Sequence, residues 1–339
     1  MQISDAYHEY DVVGMGHALM DIIVEVDEEF LKDLNLEKGS MILIDDAQHK
    51  KILEQLKSKK LIKSTGGSAS NTAKGVSILG GKSAFMGKVG LDDNAKTYEK
   101  LLTEWHIKAA LSTCKKDTGT SIICITPDGE RTMITYLGAA GEFSDADVDK
   151  DLIKNSKILH IEGYFVGNVE TYNAVLKAMK TAKDSGRKVS MDLSDTGLIK
   201  AKIDTFKKIL KEYVDIVFVN EHEAKAFTGM EGEDALHILS EYCDVSIVKL
   251  GSQGSLIKHT DKINNTKTIH QIPIHKVKVV NTNGAGDSYA AGILYSIAHD
   301  IPMDKAGFLA SYISSKVVSI PEATLNYSLK DDVKKILEK

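Results

Sequence analysis

In the stretch Asn281-Thr282-Asn283-Gly284-Ala285-Gly286-Asp287, a carboxylate follows three small residues just where the apolar helical pattern SYAAGILYSIAHD begins. The first N–H groups of a helix have no intrahelical partner and carry the positive end of its dipole, and glycines leave those amides bare. Two readings fit this pattern. One is an anion site, in which the amides of Gly284, Ala285 and Gly286 hold phosphate oxygens and Asp287 stands within reach of a hydroxyl attacking that phosphate. The other is an Asn-Gly turn followed by an acidic first helical turn, which also suits the dipole.

Three further stretches join polar residues to tight backbone. TGGSASNTAKGVSILGG (65 to 81) leads from Gly66 and Gly67 into a helix with Asn71 on its first turn. Such a junction lets a small hydroxylated ligand approach the backbone, or merely lets a helix pack tightly on a strand. VFVNEHEAKAF (217 to 227) ends an apolar strand in Asn220 and follows it with Glu223, at the strand end where polar groups of an α/β sheet face the cleft. In VKLGSQGSLI (248 to 257), Lys249 is followed by Gly251 and Gly254, a spacing that suits a loop lying against a nucleotide.

The elements that must position these residues follow from periodicity. From about residue 158, short apolar runs alternate with amphipathic helices: KILHIEGY, VETYNAVLKAMKTAKDSG, RKVSMDLS, a Lys-rich helix, then VDIVFVN. That rhythm predicts βαβ units and a mostly parallel sheet. ALMDIIVEVD (18 to 27) and GTSIICITPDGERTMITYLG (119 to 138) show strand patterns with no crossover helix, and PDGE reads as a tight turn. They predict antiparallel hairpin material forming a lid over the cleft. With no repeat and no Pro/Gly-rich linker, the expectation is one domain over 1–339 whose lid is formed by segments about 17–46 and 108–138.

Composition narrows the function classes. The chain has 339 residues, 42% hydrophobic and 27% charged, with only four prolines, which argues against disorder. A formal charge of −5 gives no electrostatic footprint for nucleic acid. No basic leader precedes an apolar stretch and no run approaches the roughly 18 apolar residues of a span, so the expectation is a cytoplasmic protein without membrane contact. Cys114, Cys124 and Cys243 show no Cys-x-x-Cys spacing and read as small core residues, not as a disulfide framework or a zinc site. The GMG at 14 to 16 lacks the third glycine of a dinucleotide fingerprint, which disfavours a dehydrogenase.

YDVVGMGHALMDI, GGSASNTAKGVSILGGKSAFMGKVG, GERTMITYLGAA, NEHEA, LGSQGS and NTNGAGDSYAAG stand in an order and spacing that resemble the ribokinase-like, or PfkB, carbohydrate kinase family. The likeness runs over nearly all of the chain and is strongest to the adenosine kinase-like branch. It implies a three-layer α/β/α sandwich with a mostly parallel central sheet and a small β-sheet lid. It also implies a Mg²⁺-dependent transfer from ATP to the hydroxymethyl group of a small-molecule acceptor, by a protein that is a monomer or homodimer. The acceptor implied is a nucleoside, adenosine first, then inosine or guanosine, with a sugar as the alternative; an inactive nucleotide sensor is the non-enzymatic rival, against which the intact Asp287 speaks.

By the same resemblance Asp287 is the catalytic base, and Gly284, Ala285 and Gly286 are the anion hole. Asn220 and Glu223 would organise Mg²⁺ through its waters, while Lys249, Gly251 and Gly254 would lie against the nucleotide. Asp21 would hold acceptor hydroxyls, with Gly66, Gly67 and Asn71 completing that shell. Tyr136, in the strand that resembles the branch's base-facing one, and Phe165, beside Tyr164 in EGYFVGN, are expected against the acceptor, or else in the core. Arg131 either reaches the pocket or supports its hairpin.

Two positions depart from the family pattern. The closing motif generally begins with Asp, which in many members helps hold a monovalent cation; Asn281 stands there, so activation by K⁺ is in question, although a site of backbone carbonyls could survive. His17 stands where the branch commonly has Asn, four residues before Asp21. Its ring can still donate or accept at one nitrogen, but reshapes the acceptor site.

Overall fold

Val12, Val13 and Met15 are all fully buried although they point to alternate faces, a pattern that only a sheet covered on both sides accommodates. The computed structural model describes residues 8–261 and 266–338. Its strands are β1 (Tyr10–Met15), β2 (Leu19–Glu25), β3 (Met41–Leu43), β4 (Ile62–Gly66), β5 (Ser83–Val89), β6 (Lys108–Thr113) and β7 (Gly119–Ile125). After these come β8 (Arg131–Tyr136), β9 (Ser156–Glu162), β10 (Lys188–Asp192), β11 (Ile216–Asn220), β12 (Val245–Lys249), β13 (Ser255–Asp261) and β14 (Thr266–Ile272).

Nine strands make the large sheet, in the order β14-β13-β12-β11-β10-β9-β1-β5-β6. It is parallel from β6 to β12, and β13 and β14 close one edge antiparallel. Val12 and Ile158 pack on one face with Tyr289, Ala291 and Ala310 of the helices Ala285–Ala298 and Met303–Val318. Val13 and Leu159 pack on the other with Val175, Phe206 and Leu236 of the helices Val169–Asp184, Ile203–Tyr213 and Gly232–Leu239. The result is the expected α/β/α sandwich.

The small sheet has five strands, β3-β8-β7-β2-β4. Met20, Ile22, Val24, Ile122 and Ile134 face away from the cleft and pack with Leu31, Ile52, Leu56 and Tyr98 of covering helices. The alternate residues, including Leu19, Asp21, Ser121, Met133 and Thr135, line the cleft. Only β7 and β8 form the expected hairpin; β2 runs parallel to β7 and takes β4 as its antiparallel partner.

Residues 108–113 differ from the expected lid boundary. They form β6, the edge of the large sheet, because the helix Asp93–Glu104 acts as a crossover that returns the chain parallel to β5. The lid's other edge is instead β4, whose sequence IKSTG is too short and polar to announce a strand. Cys114, Cys124 and Cys243 are free thiols, the last two buried. Among the described residues no helix is long and apolar enough to cross a membrane.

Candidate active site

The helix Ala285–Ala298 starts from Gly284, whose φ of 74° and position against the Ala323 carbonyl oxygen, where a Cβ would lie at 1.9 Å, leave room for no other residue. Among the described residues no side chain caps this terminus. The Ala285 N–H already donates to the Thr282 carbonyl at 3.3 Å, so it is partly engaged by the chain itself. A Cβ on Gly286 would lie 3.1 Å from Lys249 Nζ, which places an ammonium against the same loop.

Asp287 sits one residue further on. Its Oδ1 accepts from Ser68 Oγ at 2.7 Å and its Oδ2 from Asn71 Nδ2 at 3.0 Å. Burial pushes its pKa up to about 6; the Ser68 and Asn71 hydrogen bonds and the Lys249 charge oppose this, while Asp192 adds to it. At neutral pH it is a carboxylate with a basicity suited to taking a proton.

Nearby, Asp21 of β2 lies against the backbone of Gly66, where a Cβ would come within 2.1 Å of Asp21 Oδ1. Burial first, and then the charge of Asp287, raise Asp21 to about 7. Gly67 holds φ of 91° and presses on the His17 carbonyl oxygen, 2.1 Å from where a Cβ would be. His17, Asp21, Gly67, Ser68, Asn71 and Asp287 all line one cavity of about 820 Å³. The small sheet and its margins bring the apolar Leu19, Met41, Leu43, Met133 and Leu137 to the same cavity, beside the polar Asp21, Ser121 and Thr135.

At the end of β11, Asn220 caps the helix Glu221–Thr228, and Glu223 answers it: Oε2 accepts from the Asn220 N–H at 2.8 Å and Oε1 from Asn220 Nδ2 at 2.6 Å. Burial, and then Asp192, push the Glu223 carboxyl above the usual carboxylate range. Lys249 Nζ bonds Asp192 Oδ2 at 2.7 Å. Burial disfavours its charge, but the Asp192 and Glu223 carboxylates outweigh that and raise its pKa. Gly251 and Gly254 line a second cavity of about 690 Å³ with apolar walls at Ile274, Val277, Val279 and Val318. The two cavities share Lys249 and Gly286.

Among the described residues no group of three or more His, Cys, Asp or Glu side chains is arranged to hold a metal directly. Asn220, Glu223 and Asp192 line the first cavity, and their oxygens are hard donors of the kind that suits Mg²⁺, a cation that keeps several of its waters.

Two residues expected against the acceptor lie away from the cavity. Tyr136 is on the outer face of β8, stacked on His49 with centroids 4.3 Å apart, because Thr135 and Leu137 on either side of it take the cleft positions. Phe165 is fully buried behind His17, edge-on at 4.6 Å, and it is Tyr164 that reaches the cavity. Asn281 is buried and lines neither cavity; its Nδ2 donates to the Pro321 carbonyl at 3.1 Å and its Oδ1 accepts from the Asn283 N–H. Arg131 supports its hairpin's approach to the body, donating to that same Pro321 carbonyl at 2.7 Å. Ser68, Glu162 and Asp192 line the first cavity and were not singled out from the sequence. Glu162 and Asp192 end β9 and β10, so the strand-end rule that found Asn220 could have found them.

The cleft at the carboxyl ends of a parallel sheet, beneath a small mixed sheet, defines a kinase of the ribokinase-like class. The pfkB family carbohydrate kinase model matches residues 39–329, and the chain belongs to that family of ATP-dependent kinases, which use Mg²⁺. Among solved structures it is similar to the probable sugar kinase of Rhizobium etli (29% identity, TM-score 0.87, 97% of this chain and 98% of that one). It is also similar to the adenosine kinase of Sinorhizobium meliloti (30% identity, TM-score 0.85, 96% and 99%). Adenosine kinase of Saccharomyces cerevisiae is 28% identical over 342 residues, 94% of this chain and 98% of that protein.

Proposed function

We propose that the chain transfers the γ-phosphate of ATP to the 5′-hydroxymethyl group of a nucleoside, adenosine foremost. The observation that carries this reading is the mixed lining of the first cavity. Asp21, His17 and Asn71 bring hydrogen-bonding groups for a hydroxylated ring, and Leu19, Met41, Leu43, Met133 and Leu137 bring apolar surface for the face of a base. The named adenosine kinases among its relatives support it. The polar groups alone would also take a sugar, and the resemblance to the Rhizobium etli protein keeps a sugar kinase as the second reading.

In this reading the acceptor lies in the first cavity with its hydroxymethyl group at Asp287, and ATP lies in the second with its γ-phosphate at the shared boundary. Asp287 takes the hydroxyl proton as the new O–P bond forms and the bond to the β-phosphate oxygen breaks. The developing charge on the γ-phosphoryl oxygens meets the amides of the Gly284–Gly286 turn and the Lys249 ammonium, and such preorganised donors carry most of the work in phosphoryl transfer. Mg²⁺, when bound, supplies charge neutralisation on the phosphates, with Asn220, Glu223 and Asp192 holding its waters. The small sheet serves as a lid that excludes water and suppresses ATP hydrolysis.

A product-resolved screen of nucleosides and sugars with ATP and Mg²⁺ tests the reading. Phosphorylation at the 5′ position of adenosine is the expected outcome. Transfer to a free hexose and to no nucleoside would overturn the assignment in favour of the sugar reading.

A further inference from the structure

Glu162, the last residue of β9, is 1% exposed and takes no direct part in the transfer step. Its Oε1 accepts from the His17 backbone N–H at 2.8 Å and lies 2.6 Å from His17 Nδ1, while its Oε2 accepts from the Ala69 N–H at 3.1 Å. His17 lies on the crossing from β1 of the large sheet to β2 of the small one, and Ala69 lies in the first turn of the helix Ser68–Ile78 that follows β4. Glycines allow this convergence: a Cβ on Gly16 would lie 2.2 Å from Glu162 Oε2, and one on Gly67 would strike the His17 carbonyl.

With Glu162 as a carboxylate, which has no proton to donate, the proton in the Nδ1 contact belongs to the ring. In the neutral imidazole this leaves the lone pair on Nε2. That atom has no hydrogen-bond partner among the described residues, and His17 lines the acceptor cavity beside Asp21. The Ala69 N–H held by Glu162 is in the same helical turn as Ser68 and Asn71, the two donors to Asp287.

We propose that Glu162 is a positioning residue that acts on both partners of the reaction. It fixes His17 as the Nδ1–H tautomer, so that Nε2 presents a hydrogen-bond acceptor to an acceptor hydroxyl, and it anchors the turn that aims Asp287. The choice of adenosine as probe rests on the nucleoside reading; the ring tautomer does not.

The test is Glu162→Gln, which keeps the shape but offers one oxygen and one NH₂ where two oxygens are needed. The expected result is a KM for adenosine raised by about tenfold or more, from the loss of a hydrogen bond to a charged group, with the KM for ATP unchanged. The imidazole nitrogen shifts of the ligand-free protein should also lose the Nδ1–H pattern of His17. In a double-mutant cycle, His17→Ala should add less to Glu162→Gln than it costs alone. An unchanged adenosine KM, an unchanged tautomer, or strictly additive losses overturns the proposal. So does an Nε2–H tautomer in the unmutated protein, a readout that stands even if Glu162→Gln does not fold. If the unmutated protein phosphorylates a sugar and not adenosine, the nucleoside reading fails and the same KM comparison is made with that sugar, so the two failures are separable.

Discussion

Asp287→Asn removes a proton acceptor while changing almost nothing else in volume. The amide oxygen introduced there could still accept from Ser68, but the NH₂ beside it would then face Asn71 Nδ2, which now donates to Asp287 Oδ2 at 3.0 Å. The structural cost is therefore about one hydrogen bond, roughly 0.5–1.5 kcal/mol. The kinetic cost is larger, because a positioned general base contributes about 10²–10⁴ in rate, or roughly 3–5 kcal/mol of barrier. The assay is coupled ADP release at saturating ATP and adenosine, with ATP affinity measured separately by calorimetry. The expected outcome is kcat lowered by about 100-fold or more with ATP affinity preserved. A fall of less than about tenfold would refute the assignment of the base. The pH dependence checks the same group by another route. Burial has raised its pKa from 3.8 to about 6, so the base is protonated below that value. For the unmutated enzyme kcat/KM, which reports the free enzyme, should thus fall as pH drops through about 6 and level off above it, and Asp287→Asn should remove that inflection.

Gly67→Ala forces an L-residue to φ of 91° and a Cβ onto the His17 carbonyl, so it should lower stability by about 1–3 kcal/mol and raise the KM for the acceptor more than that for ATP. Thermal unfolding and steady-state kinetics check the two parts. Tyr136→Phe should leave the acceptor KM unchanged, because the ring faces His49 and its hydroxyl bonds Asp46 at 3.2 Å on the outer side of the lid. A raised acceptor KM in that variant would return Tyr136 to the cleft. Turnover should also be independent of K⁺, since the Asn281 amide itself ties the 281–283 turn to Pro321; a strong loss of activity when Na⁺ replaces K⁺ would show a surviving cation site.

What could be read from the sequence is local. The Gly284–Asp287 cluster lies in four consecutive residues at a helix start, and Asn220 with Glu223 forms a capping box three residues apart, so backbone geometry alone brings each together. The βαβ rhythm after residue 158 likewise announces a parallel sheet through period and loop length. Alternation along β8 shows two faces but does not say which face meets the cleft. The helices packed on Ile134 decided that, turning Tyr136 outward and Met133 and Thr135 in. The short turn Gly163–Val166 after β9 similarly exchanged Phe165 for Tyr164 at the cavity. Asn71 meets Asp287 across 216 positions and His17 meets Glu162 across 145, and no periodicity in a single chain encodes pairings of that range. Local order along the chain was thus enough for the fold class, the helix terminus fit for a phosphate and the carboxylate beside it. Which side chains hold that carboxylate, and which faces enclose the acceptor, came from packing, because those contacts depend on how separate elements meet and on nothing within any one of them.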